Sequence, residues 1–337
     1  MKIDRENLLQ KLESVLPGLA KRELLQQSSC FAFTGSKVMT FNEEVACSQD
    51  FDTPFVGAIV AMPMISILRN LTETTVEIFE ESKEGKGTKI IIKGKNKRAR
   101  LAIESEIELP IDAVETPGEW KTLPEGFAEA ISMVHSCASK DITRFGLTCV
   151  HITPKWVEAG SDDQIARYKI QTPIEESFLV PAKALKNMVS LDMKEISETP
   201  NWVHFQNEDG LVFSCRRYLE PFHNLSKIFK VKGQTIVLPK GLVEAAKNAS
   251  IFSDESAMTD LIKITLKPNK LIIFGKGVTG DYKEGKKIKY DGKTFSFKIS
   301  PGLLMRLVKD YNECILSPTR LKIKIGKFKY VTLLSIA

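Results

Sequence analysis

Apolar residues along this chain recur in two rhythms that take turns. Leu303, Leu304, Leu307 and Val308 are spaced by three and four, with Arg306 and Lys309 off their face; Ala184, Leu185, Met188 and Val189 repeat the spacing, with Lys183 and Lys186 outside it. Such spacing predicts short amphipathic helices, each with a polar face. Between them the rhythm shortens to two. Leu321, Ile323 and Ile325 alternate with polar residues, and 261–266 and 294–299 do the same. These stretches, with the apolar runs 89–93 and 271–274, predict strands. Turn residues at 207–210, 268–269 and 291–292 separate them.

The helical segments are periodic. Pro63, Pro124, Pro181, Pro239 and Pro301 each precede or open one, at separations of 61, 57, 58 and 62, and about the same distance before Pro63 stands Asp4, ahead of another. Proline suits a first helical turn, where the missing amide has no intrahelical partner, and Asp suits a cap. Six units, each one helix plus several strands, therefore fill the 337 residues. One unit is too small to bury a core alone. Paired, they predict an α+β chain of three similar domains, 1–120, 121–231 and 232–337. The junction 114–124, with two prolines and a glycine, and the junction 229–234 support these boundaries. The alternative, ordinary loops inside one α+β domain, is weakened because the period runs through both junctions.

Composition narrows the class. Hydrophobic residues make up 43% and charged residues 27%, enough for a core and too patterned for disorder. No apolar run approaches the length of a membrane span, and the first ten residues are charged too early for a signal peptide, so the chain reads as cytoplasmic with no membrane partner. The six cysteines are scattered and the four histidines do not cluster with them, so neither a disulfide framework nor a zinc site is expected, and each cysteine reads as a small buried hydrophobe. The net charge of +6 is concentrated at one end: 232–337 carries 20 Lys and Arg against 9 Asp and Glu. That excess suits a polyanion such as nucleic acid, or equally a solubilising surface. Lys11, Arg69, Lys183, Lys186, Lys247, Arg306 and Lys309 lie on or near the helices and off their apolar faces. If all six helices shared one side of the molecule, these residues would form a basic surface. No base-reading motif is present, so contacts are expected to be with phosphates and blind to sequence.

Catalytic motifs are weak. Gly280–Lys287 nearly matches a phosphate-binding loop but has Lys287 where a magnesium-binding hydroxyl belongs, and reads as a basic surface loop. Asp162 and Asp163 form a carboxylate pair in a turn, more simply solvated than metal-binding. No motif calls for a catalytic residue, a cofactor or a metal.

The opening Met1-Lys-Ile-Asp-Arg-Glu-Asn-Leu-Leu, the segment Val157–Arg167 (VEAGSDDQIAR), the stretch 238–255 (LPKGLVEAAKNASIFSDE) and the ending Tyr330–Ala337 (YVTLLSIA) carry a resemblance. With the threefold organisation, the chain resembles the bacterial DNA sliding clamp, the beta subunit of DNA polymerase III, from its first residue to its last. The resemblance implies a clamp fold: a head-to-tail homodimer forming a ring around duplex DNA, helices lining the hole and sheets outside. It implies a non-catalytic processivity factor of DNA replication. By position it adds Arg22 and Lys140 as DNA contacts. It also implies a cleft for short apolar peptide motifs of DNA polymerase and clamp loader, formed by Leu147, Gly160, Asp162, Asp163, Gln164, Ile165, Pro221, Val331, Leu333 and Leu334. Asp163 and Gln164 replace the family's His-Arg, Leu334 its proline and Ser335 an apolar residue, so the motif preference stays open. A basic chain among acidic relatives fits a divergent copy, as a phage or mobile element would carry. Two other readings remain: a metal-dependent nucleic-acid-processing enzyme using Asp162 and Asp163, and a repeat scaffold that binds only proteins.

Overall fold

The computed structural model describes residues 1–23, 25–83, 87–252, 261–310 and 313–336. One order of elements runs three times. The first pass is β1 (Lys2–Asp4), α1 (Arg5–Ser14), β2 (Cys30–Thr34), β3 (Lys37–Phe41), β4 (Val45–Asp50), β5 (Val56–Val60), α2 (Ala61–Asn70), β6 (Thr75–Lys83), β7 (Gly87–Lys93) and β8 (Arg98–Ala102). The second is β9 (Lys121–Thr122), α3 (Phe127–Val134), β10 (Cys149–Ile152), β11 (Trp156–Gly160), β12 (Gln164–Lys169), β13 (Phe178–Pro181), α4 (Ala182–Met188), β14 (Glu195–Glu198), β15 (Trp202–Gln206) and β16 (Leu211–Arg216). The third is β17 (Gln234–Val237), α5 (Leu242–Ser250), β18 (Ile262–Lys267), β19 (Lys270–Gly277), β20 (Gly280–Lys287), β21 (Phe295–Ile299), α6 (Pro301–Asp310), β22 (Glu313–Leu316), β23 (Arg320–Ile325) and β24 (Phe328–Leu333), with a short β25 (Ser335–Ile336) appended. The six helices expected from the period are all present.

Their starts follow local chemistry. The Asp4 carboxylate accepts the Asn7 amide at 2.8 Å and caps α1. Pro301 opens α6, and Pro181 immediately precedes α4. In Leu123-Pro-Glu-Gly126 and Leu238-Pro-Lys-Gly241 the helix begins after the glycine, which takes φ of +83° and +80°, a conformation that strains any side-chain-bearing residue.

Contacts gather the chain into two compact units. One holds Met1–Leu123 and Asn187–Tyr218, the other Pro124–Lys186 and Leu219–Ala337, so the middle pass is shared between them. The first unit contains an eight-stranded antiparallel sheet, β5-β2-β3-β4-β16-β15-β14-β9, and a four-stranded sheet, β1-β6-β7-β8. The second contains β13-β10-β11-β12-β24-β23-β22-β17 and a five-stranded sheet, β20-β19-β18-β21-β25. Each eight-stranded sheet is two four-stranded halves from successive passes. The joins are antiparallel ladders, Leu211–Cys215 against Val45–Gln49 in one and Gln164–Tyr168 against Phe328–Thr332 in the other. In the first unit Phe31, Phe33 and Trp202 are fully buried; Trp202 packs with Ala32, Phe41, Ala46 and Leu109 and donates Nε1 to Ala113 O at 3.2 Å. Phe178, Phe328 and Tyr330 anchor the second.

The alternating strand at 319–325 is β23, with Leu321 and Ile323 buried. The near-match to a phosphate loop corrects the expectation of a surface loop. Gly280–Lys287 is strand β20, paired along its length with β19. On one face it carries Tyr282, Glu284 and Lys286: Asn248 donates to the Tyr282 hydroxyl at 3.3 Å, which donates to Glu284 at 2.5 Å, and Lys286 pairs with Glu284 at 2.5 Å. A period of two hidden among glycines and lysines made the strand hard to read. All six cysteines are buried. Among the described residues no helix is long and apolar enough to cross a membrane.

His204 ties acid sensitivity to this architecture. It is fully buried in the first unit, with Nδ1 at 2.8 Å from Ser214 Oγ and Nε2 at 3.1 Å from Thr199 Oγ1. Burial lowers its pKa to about 4, and the negative charge of Glu115 only partly opposes this. The unfolded chain, with an ordinary histidine, then binds more protons in the interval between that value and the usual one. Stability is full above the unfolded pKa and falls as pH drops toward the folded value. Urea unfolding of the wild type is expected to lose roughly 2 kcal/mol more between pH 7 and pH 5 than His204→Gln does. Equal losses in the two proteins would contradict this assignment.

Candidate functional site

The join between β12 and β24 in the second unit organises a candidate site. Side chains alternate between the two faces of a sheet. Tyr168 faces α3, where Glu129 accepts from its hydroxyl, and α3 packs against β11 and β12 on that side. The opposite face presents Gly160, Glu158 and Trp156 from β11, Ile165, Arg167 and Lys169 from β12, and Val331 and Lys329 from β24. Cross-strand pairing aligns them in rows: Gly160–Ile165–Val331, then Glu158–Arg167–Lys329, then Trp156–Lys169.

The first row is apolar. Ile165 and Val331 are buried with Leu225, Phe229 and Val231, and Phe222, Ile228 and Ile315 pack on them. Gly160 keeps the row shallow, since a Cβ there would sit 2.8 Å from Ile165 Cγ2. Beyond Val331 the strand ends with Leu333, 42% exposed, and a half-buried Leu334. The Leu333 amide donates to Asp163 O at 2.7 Å and the Leu334 amide to Thr319 O at 2.9 Å, which fixes this end of the strand.

The second row is polar, and within it Glu158 and Arg167 are paired. Glu158 is 3% exposed; it accepts Arg167 Nε at 2.7 Å and Nη2 at 2.6 Å, and its other oxygen lies 2.9 Å from His151 Nδ1. The Arg167 guanidinium lies 4.5 Å from the Trp156 ring centre and 4.9 Å from that of Phe229, and His151 packs on Phe222 at 4.7 Å. A buried carboxylate is tolerated when its oxygens are satisfied this completely. The cluster also links the sheet to the segment carrying Phe222 and Phe229, which walls the apolar row.

The expected cleft residues are partly gathered. Gly160, Ile165, Val331 and Leu333 share this face, and exposed Pro221 adjoins Phe222. Asp162 and Asp163 are exposed at the β11–β12 turn, and Asp162 forms an ion pair with Arg144. Gln164 turns the other way: it is buried, accepts the Tyr330 hydroxyl at 2.9 Å and donates to Ser136 O at 3.4 Å. Leu147 is half-buried in a short helical stretch, Ile142–Thr148, outside the apolar cluster. Phe222, Leu225 and Phe229 were not expected, although their spacing of three and four after Pro221 is a legible apolar signal.

The expected DNA contacts fall on both units. Arg22, Lys140, Lys183, Lys186, Lys247 and Lys309 are exposed. Lys11 donates to Asp50 O at 2.9 Å, Arg69 pairs with Glu13 at 2.7 Å, and Arg306 on α6 donates to Ser132 on α3. Among the described residues no three His, Cys, Asp or Glu side chains gather as a metal site requires.

A scan of protein-family models and a search of curated proteins find no match. Solved structures do match over the whole chain. A putative DNA polymerase III beta subunit from Eubacterium rectale has a TM-score of 0.74 at 18% identity, covering 99% of this chain and 98% of that one. The beta subunit from DNA polymerase of Streptococcus pyogenes has 0.73 at 15%, covering 100% and 99%. A DNA polymerase sliding clamp from Bacillus subtilis has 0.71 at 16%, covering 100% and 98%. The chain has the fold of these proteins.

The Glu158–Arg167 pair yields a prediction about this face. Arg167→Leu strands a buried carboxylate and is expected to destabilise the protein by about 3 kcal/mol or more in urea unfolding, whereas Glu158→Gln with Arg167→Leu recovers much of the loss. Additive losses would show that the two side chains do not act as a pair.

Proposed function

We propose that this chain is a DNA sliding clamp: a non-catalytic processivity factor that encircles duplex DNA in the cytoplasm and tethers a polymerase. The observation that carries the proposal is the pattern of sheet joins. The third strand after the first helix of a pass joins the last strand of the next pass, β4 to β16 and β12 to β24. The same rule leaves β20 of the third pass and β8 of the first, and each is the edge of its own sheet. Long open edges are hazards that proteins usually cover. Pairing β20 of one copy with β8 of another joins the four-stranded and five-stranded sheets edge to edge, as half-sheets are joined twice within the chain. Two copies doing so reciprocally close a head-to-tail ring. The clamp fold shared with the solved beta subunits supports the same reading.

Three domains at 1–120, 121–231 and 232–337 follow from the threefold element order. In the ring the helices line the hole. Lys11, Arg22, Arg69, Lys140, Lys183, Lys186, Lys247, Arg306 and Lys309 make the phosphate contacts. Topology holds the DNA, so weak, sequence-blind contacts suffice and permit sliding. On the opposite sheet face the apolar row of Ile165, Val331 and Leu333, with Pro221 and Phe222, receives a short apolar motif of polymerase or clamp loader. An exposed apolar step suits peptide capture. Gly160 keeps the floor low, while Asp162, Asp163 and Leu334 form the rim.

Light scattering at micromolar concentration is expected to give twice the mass of one chain. After loading, the protein is expected to stay on nicked circular DNA and to leave once the circle is cut. A single-chain mass together with no retention on circles would defeat the reading.

A further inference from the structure

The third row of the same sheet face opens into a depression of about 610 Å³ that the apolar cleft does not use. Lys155, Lys169, Lys324, Lys327 and Lys329 line it, with Arg167. They reach it from different parts of the chain. Lys169 lies one alternation past Arg167 on β12, its amide donating to Lys327 O at 2.9 Å, and Lys324 and Lys329 are cross-strand partners. Of these cations only Arg167 has an acidic partner among the described residues, and that carboxylate, Glu158, is buried beneath the surface. The field is strong enough to be felt nearby: burial, then the charges of Lys329 and Lys324, lower the pKa of Lys322. Trp156 also lines the depression, and its indole Nε1 is buried without an acceptor among the described residues.

Like charges crowded on one sheet face are unfavourable unless something answers them. We infer that this depression binds an acidic segment of a protein partner. The chemistry sought is a run of Asp or Glu carboxylates, several lysine ammonium groups wide. A protein rather than a nucleic acid is assigned for two reasons. The depression lies on the face away from α3, and it continues the apolar row, Ile165 to Arg167 to Lys169 on β12 and Val331 to Lys329 on β24, with Lys327 just before that strand. The choice therefore rests on the reading of that row as a peptide cleft. A partner peptide would seat apolar side chains over Ile165 and Val331 and lay its acidic flank across the lysines. Lysines give such a site charge without a fixed hydrogen-bond geometry, so it selects for the density of negative charge rather than for one sequence.

The test uses the full chain, a labelled octaglutamate peptide, a labelled apolar Leu-Phe peptide and the fusion of the two, followed by fluorescence anisotropy at low salt. Octaglutamate is expected to bind, and to bind about tenfold more weakly both to Lys155→Glu/Lys327→Glu and at high salt, with Lys155→Gln/Lys327→Gln in between. The apolar peptide is expected to bind all these proteins alike, and the fusion more tightly than either part. Absence of octaglutamate binding at low salt, or binding indifferent to both lysine pairs, overturns the inference. So does a single-stranded oligonucleotide of equal charge that binds more tightly with the same lysine dependence. Failure of the apolar peptide alone, with lysine-dependent octaglutamate binding intact, counts against the cleft and leaves the acidic-segment site standing.

Discussion

The architecture depends on one repeated interaction, the antiparallel ladder that joins the last strand of one pass to the third strand after the first helix of the pass before it. The β4–β16 and β12–β24 ladders turn half-sheets, each too small to cover a core, into eight-stranded sheets. Backbone hydrogen bonds in these ladders are satisfied without regard to side-chain identity. The fold can therefore be shared with proteins at 14–18% identity while most surface chemistry differs. The same ladder places function. The β12–β24 join lays apolar, paired polar and basic rows side by side on one face, using residues more than 150 positions apart in the chain.

How the pairing treats polar groups explains the rigidity of that face. Glu158 is costly to bury and stays only because Arg167 and His151 answer both its oxygens. In exchange for that desolvation, the guanidinium is held between Trp156 and Phe229, and the segment carrying Phe222, Leu225 and Phe229 is pinned against the sheet. The apolar row thus has a preformed wall rather than one that must order when a ligand arrives. On the other face Gln164 and Tyr330 satisfy each other beneath the strand, so the site's two neighbours in sequence, Gln164 and Ile165, belong to different environments.

Much of this was legible in the sequence, for identifiable reasons. Helices announce themselves through prolines and three-four spacing, so all six were anticipated, as were strands such as β18, β21 and β23 whose alternation is clean. Strand β20 was not, because glycines and lysines dilute its alternation and imitate a phosphate loop. Within the site, Ile165, Val331, Leu333 and Pro221 were anticipated only through family resemblance, and Gln164 was assigned to the cleft because position along a chain does not reveal which way a strand side chain turns. The basic depression was invisible for a deeper reason. Lys169, Lys324 and Lys329 are unremarkable on their own strands and gather only when strand register sets them side by side.

In the proposed ring β8 and β20 are matched edges of one sheet shared between copies. Hydrogen exchange across a dilution series tests it most directly, because edge amides are protected only when another strand covers them. Protection that grows with protein concentration is expected only in Arg98–Ala102 and Gly280–Lys287, while amides of the β4–β16 and β12–β24 ladders stay protected throughout. Edge amides in β8 and β20 that exchange at the same rate across the whole dilution series would contradict it.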